Sequence, residues 1–139
     1  MATTTRVVWL EKQQYVGIDS SKHSVVLSAH DEENGTGISP SELLLLALGG
    51  CTSYDVVNIL QKKRQRLTGL EVIVTGEQDE EPPWTFREIR VQYRVRGKGL
   101  REKAVHDAIR LSEQKYCSVA ATLRGTVAIT YDVVIEEET

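Results

Sequence analysis

The sequence predicts an α+β fold, and three observations carry that prediction. A leucine-rich helix opens at Ser39-Pro40-Ser41-Glu42, strand-like segments precede it, and a hairpin, a second amphipathic helix and a closing strand follow it. No internal repeat interrupts this order. With 139 residues, 40% hydrophobic and 27% charged, the chain suits one domain spanning 1–139 that can bury a real core.

Residues 6–10, 14–18 and 23–29 read as short strands, the last by its Val25-Val26-Leu27 centre and the others by weak alternation around turn signals such as Asp19-Ser20-Ser21. They make an N-terminal meander. His30 to Gly37 is polar and glycine-bearing, a loop free to shape a site entrance. In the helix that follows, Ser39 serves as N-cap, Pro40 suits the first position because its missing N–H costs nothing there, and Glu42 closes a capping box. Residues 43–48 are apolar on every side, so this stretch must be surrounded by protein. The helix runs on through Cys51 to Leu60 and a basic turn at Lys62-Lys63-Arg64-Gln65-Arg66, with Gly69 as the stop. Gly49 and Gly50 each cost about 1 kcal/mol against alanine inside a helix, which predicts a backbone or ligand close beside Cys51, or a kink.

Segments 70–77 and 85–96 read as strands joined by a hairpin over residues 79–84, with Ile89, Val91, Tyr93 and Val95 on one face and Arg90, Gln92, Arg94 and Arg96 on the other. Gly97-Lys98-Gly99 breaks the strand without the spacing of a phosphate loop. Leu100, Ala104, Ala108, Ile109 and Leu111 mark a helix over roughly residues 100–114, a short apolar segment follows Cys117, and residues 126–135 close the chain as a strand before an acidic tail.

A net charge of −3 and a pI near 5.6 give no electrostatic reason to expect nucleic acid or an anionic membrane as partner. The N-terminus lacks a basic-then-apolar signal, and the stretch 43–48 is too short to span a bilayer, so the expectation is a cytoplasmic protein. Two cysteines in a reducing compartment are a poor structural staple, and without a CxxC pair or nearby histidines they make a poor metal site. Neither metal nor cofactor is expected, and redox chemistry is what the thiols have left. His23, His30 and His106 are isolated and read as ordinary surface or core residues. A leucine-wrapped helix also needs more cover than a two-layer domain of this size supplies, which predicts an extensive homodimer interface.

Ser39-Pro40-Ser41-Glu42-Leu43 leading to Gly49-Gly50-Cys51, together with Tyr116-Cys117-Ser118-Val119, resembles the two cysteine motifs of the OsmC/Ohr family, the osmotically inducible and organic-hydroperoxide-resistance proteins. The resemblance extends to the order of elements along nearly the whole chain. It implies an intertwined α+β homodimer that reduces small organic hydroperoxides, with Cys51 as the peroxidatic thiol, Cys117 as the resolving thiol, and a dithiol or lipoylated reductant to recycle the pair. Cys117 would begin a short helix whose amides favour a thiolate. Leu44, Ala47 and Leu48 share the Cys51 face at roughly 100° per residue, offering an apolar wall to an alkyl hydroperoxide. Ser41, Tyr54 and Asp55 complete the candidate pocket, although an ionised Asp55 one turn after Cys51 would oppose a thiolate there.

Two departures from the family pattern stand out. Where peroxidatic members carry a glutamate, ten residues before the cysteine, this chain has Ser41; Glu42, one step later, lies about 900° of helical turn from Cys51 and therefore on roughly the opposite side. Glu42 is accordingly a cap first. No arginine lies between Lys22 and Ser39 to pair with the reactive thiol, leaving Arg6, Lys12, Lys22 and His23 as cations without a motif. These departures sustain an alternative, a non-catalytic or weakly active module that binds a small hydrophobic or thiol-reactive ligand. Inert thiols buried as small hydrophobes in a structural dimer are a third option.

Overall fold

A computed structural model describes all of residues 1–139. The chain comprises two compact units, Met1–Leu44 and Leu45–Thr139. In the first, β1 (Arg6–Glu11), β2 (Gln14–Ile18) and β3 (Ser24–Ser28) form the expected antiparallel meander in the order β1-β2-β3. The loop after β3 is not free. Asp31 accepts from the Asn34 backbone at 2.7 Å and from its amide Nδ2 at 2.9 Å, while Asn34 Oδ1 accepts from Gln13 N–H at 3.2 Å. Ile38 then hydrogen-bonds back to Val26 and Ser28, so the segment expected to be free to shape an entrance is laced to the β1–β2 turn and β3.

The helix α1 spans Pro40–Lys62. Its start follows the sequence: Ser39 Oγ accepts from Glu42 N–H at 3.4 Å and donates to the Glu42 carboxylate at 3.0 Å. Its end does not. The Gln65 N–H bonds the Leu60 carbonyl and the Arg64 N–H bonds the Gln61 carbonyl, both at 2.9 Å, with Arg64 in the left-handed region at φ 58. This is a Schellman ending, and arginine occupies the position where glycine is usual. Gly69 instead lies within β4 (Arg66–Gln78), beside an irregularity in its pairing with β5 (Phe86–Lys98).

In the second unit β4 and β5 pair antiparallel, and β6 (Ala128–Glu137) pairs parallel to β5, giving the order β4-β5-β6. Parallel pairing requires a crossover, supplied by α2 (Glu102–Leu111), a π-helical turn (Ser112–Tyr116) and α3 (Ser118–Leu123). Period-two alternation on β5 holds: Ile89, Val91, Tyr93 and Val95 are all fully buried. They pack with Leu48, Val56 and Leu60 of α1 and with Val105, Ala108 and Ile109 of α2. Each such large aliphatic contributes about 1.5–3 kcal/mol by leaving water. By length and composition α1 could cross a membrane, a property the stretch 43–48 alone lacks; its three fully buried aliphatics belong to this protein core.

The leucine run itself departs from expectation. Leu48 is buried, but Leu44, Leu46 and Ala47 are exposed in the single chain, Leu46 to 58%. One chain therefore does not surround this stretch. A Cβ on Gly49 would meet Val74 Cγ2 of β4 at 3.0 Å, so a neighbouring strand explains that glycine, while nothing lies within 4 Å of the corresponding point on Gly50.

Candidate functional site

The second unit brings Cys51 and Cys117 together. Cys51 is half-buried on α1, Cys117 is only 2% exposed, and the two thiols lie close enough for Cys51 to raise the Cys117 thiol. Their union depends on the π-turn. The Cys117 N–H donates to the Ser112 carbonyl at 2.8 Å, and Cys117 then leaves helical conformation to become the N-cap of α3. Its sulfur accepts from the Ala120 N–H at 3.3 Å.

That helix start was expected to favour a thiolate, and the balance goes the other way. Burial and the neighbouring Cys51 thiol outweigh the Ala120 and Val119 amides and push the Cys117 thiol up to about 11. At neutral pH it is protonated.

Around the pair lie residues that the sequence pattern did not mark as functional. Tyr93, fully buried on β5, donates its hydroxyl to Glu113 Oε1 at 3.1 Å. Thr52, next after Cys51, reaches the same phenol and also donates to the Gly49 carbonyl at 3.2 Å. Burial raises both the Tyr93 phenol and the Glu113 carboxyl above their ordinary values. Arg124 partly offsets the shift at Glu113 through its charge, and its Nη1 donates to the Glu113 backbone carbonyl at 2.7 Å. An acid and an arginine thus do meet beside the phenol that neighbours Cys117, after α2 rather than before α1. The available signal was Glu113 lying four residues before Cys117, but amphipathic periodicity marked it as an outer charge of the second helix.

The other sequence candidates separate. Asp55 accepts from the buried Ser112 hydroxyl at 2.8 Å, linking α1 to the π-turn. It also borders an open groove of about 510 Å³ with Asn58, Ile59, Lys62, Lys63, Leu111 and Tyr116. Leu48 is a core residue rather than a pocket wall, because its side chain is completely enclosed. Ala47 is exposed, and Tyr54 is 76% exposed. Ser41 and Leu44 belong to the first unit. There, Glu42 lies 3.5 Å from His30 Nδ1 in addition to its capping bond. Lys12 pairs with Glu33 at 2.7 Å and His23 with Asp19 at 3.4 Å, while Arg6 borders a largely apolar cavity of about 410 Å³ with Val7, Ile18, Val25, Leu27 and Leu43. No group of three His, Cys, Asp or Glu side chains is placed to hold a metal ion.

Comparison with known proteins identifies the family to which this fold belongs. The OsmC-like protein family model matches residues 31–132, a span that includes both cysteines. Protein YhfA of Escherichia coli K12 is 41% identical over 131 residues, covering 93% of this chain and 96% of that protein. The crystal structure of an OsmC-like protein from Mycoplasma pneumoniae superposes with a TM-score of 0.85 at 20% identity, covering 98% of each chain. The organic hydroperoxide resistance protein OhrB of Bacillus subtilis shares the fold at a TM-score of 0.63 and 14% identity, covering 96% of this chain and 98% of that one. On the breadth of the family match and the identity to YhfA, the chain belongs to the OsmC-like protein family.

Proposed function

We propose that this protein is a thiol-dependent peroxidase acting on small organic hydroperoxides, working as a cytoplasmic homodimer whose subunit is one OsmC-like domain over residues 1–139. The Cys51 thiolate attacks the distal peroxide oxygen, the O–O bond breaks, and the departing alkoxide takes a proton from water to leave as the alcohol while Cys51 keeps the hydroxyl as a sulfenic acid. Cys117 then condenses with that sulfenic acid, forming the disulfide and releasing water. A dithiol or lipoylated reductant returns both thiols.

The observation that carries this reading is two thiols in reach of each other with unequal exposure, one half-open and one sealed. Such a division suits an attacking thiol that must meet a substrate and a resolving thiol that need meet only its partner. The hydroperoxide-resistance name of the Bacillus relative supports the same chemistry. Exposed Leu46 on α1, Tyr54 on the same helix and Trp9 on β1 supply apolar surface that a second copy would cover.

The test mixes reduced protein with cumene hydroperoxide and follows free thiols and the Cys51–Cys117 disulfide by mass spectrometry. Rapid stoichiometric closure, abolished in Cys51→Ser, is the expected result; unchanged thiols would overturn it. A second reading, a binding module for a small hydrophobic or thiol-reactive ligand, draws on the groove beside Asp55, where Ile59 and Leu111 sit between polar walls. Saturable binding there with inert thiols would favour it.

A further inference from the structure

Asp55 is the one acidic residue of α1 beyond its first turn, in a helix whose commonest residue is leucine. A half-buried carboxylate in such a setting is costly unless it is partnered, and its partner here is the Ser112 hydroxyl at 2.8 Å. Ser112 is fully buried, and its carbonyl in turn receives the Cys117 N–H at 2.8 Å. Asp55 stands one turn after Cys51. An unbroken line of bonds therefore runs from the Cys51 helix through Asp55 and Ser112 to the backbone of Cys117.

The segment between Ser112 and Cys117 is a π-turn, a rare geometry that recurs at functional sites. Its wider loop delays Cys117 relative to α-helical spacing and releases it into extended backbone at φ −80 and ψ 109. Fixing Ser112 fixes where that release occurs.

We propose that Asp55 and Ser112 are a positioning pair that sets Cys117 against Cys51 for disulfide closure. The inference rests on the peroxidase reading for its oxidant. In the closing step the S–S bond forms as the Cys51 S–O bond breaks, and the Cys117 proton departs with the hydroxyl as water. The competing event is a second peroxide converting the sulfenic acid to sulfinic acid. Alignment of Cys117 decides between the two outcomes, and small misplacements of reacting atoms are expensive in rate.

The experiment measures the ratio of disulfide to Cys51 sulfinic acid after a fixed excess of cumene hydroperoxide, in the wild type, Ser112→Ala, Asp55→Ala and Asp55→Asn. Ser112→Ala and Asp55→Ala are expected to lower that ratio by roughly tenfold or more. Asp55→Asn, which keeps an acceptor oxygen for Ser112, restores it. A merely structural role would lower stability without moving this partition. The same four proteins are also closed with diamide, which takes two electrons from the two thiols and needs no peroxide, so positioning is read even if cumene hydroperoxide leaves the wild type untouched. Diamide closure that is slow in both alanine variants and restored in Asp55→Asn supports the pair; wild-type closure in all four overturns it. Should one alanine variant fail to fold, the other and the Asp55→Asn protein still give the comparison.

Discussion

Cys117 shows how two nearby influences on one sulfur are ranked by burial. The amide dipoles at the start of α3 pull its thiol toward ionisation, but the loss of water and the facing Cys51 push harder, from an ordinary 9.0 to about 11. The consequence for stability has a definite sign. Below about 9 both folded and unfolded chains keep the proton and the contribution is complete; between about 9 and 11 the unfolded chain ionises first, so stability falls as pH rises. Urea unfolding between pH 8 and 11 should show a loss on the order of 1–2 kcal/mol that Cys117→Ser lacks. Tyr93, also raised by burial, adds a loss of the same sign in both proteins. At this scale the sequence revealed what local pattern encodes. Ser39 and Glu42 were legible as a cap because three-residue spacing determines their meeting, whereas Glu113, Tyr93 and Thr52 meet only through tertiary packing. The arginine was sought upstream of α1, yet Arg124 follows Cys117 and reaches Glu113 by way of α3.

Helices announce their beginnings more clearly than their ends. The start of α1 follows from Ser-Pro-x-Glu, but its stop uses Arg64 in a left-handed conformation, and arginine carries no mark of that choice. Gly69 attracted the prediction because glycine is the common terminator, while the chain had already entered β4 at Arg66. Arg64→Gly should therefore raise stability by about 0.5–1 kcal/mol, because a β-carbon at positive φ is disfavoured. Thermal or urea unfolding measures it, and an unchanged or lowered midpoint contradicts the account. Apolar periodicity likewise predicts a second helix continuous to about residue 114, because a shift from i−4 to i−5 bonding leaves no trace in it. The strand face of Ile89, Val91, Tyr93 and Val95 was readable without error, since alternation in β5 directly encodes which side is buried.

For the molecule as a whole, the α+β class was legible from the order of elements, while the cover over the leucine run was not, because a sequence does not say which chain supplies it. Trp9 at 66% and Leu46 at 58% exposure leave large apolar side chains in water. Sedimentation equilibrium is expected to give a dimer, and Leu46→Lys to shift it toward monomer by placing a charge where the second copy would pack. A monomeric wild type at micromolar concentration would contradict the homodimer. The sealed setting of Cys117 carries one more implication, for the return journey of the sulfur chemistry. An external thiol meets the disulfide at the more open Cys51 and must expel Cys117, and a sulfur that holds its proton up to about 11 is a reluctant leaving group. In the proposed peroxidase cycle this slows regeneration, so an oxidised fraction would outlast the peroxide that produced it.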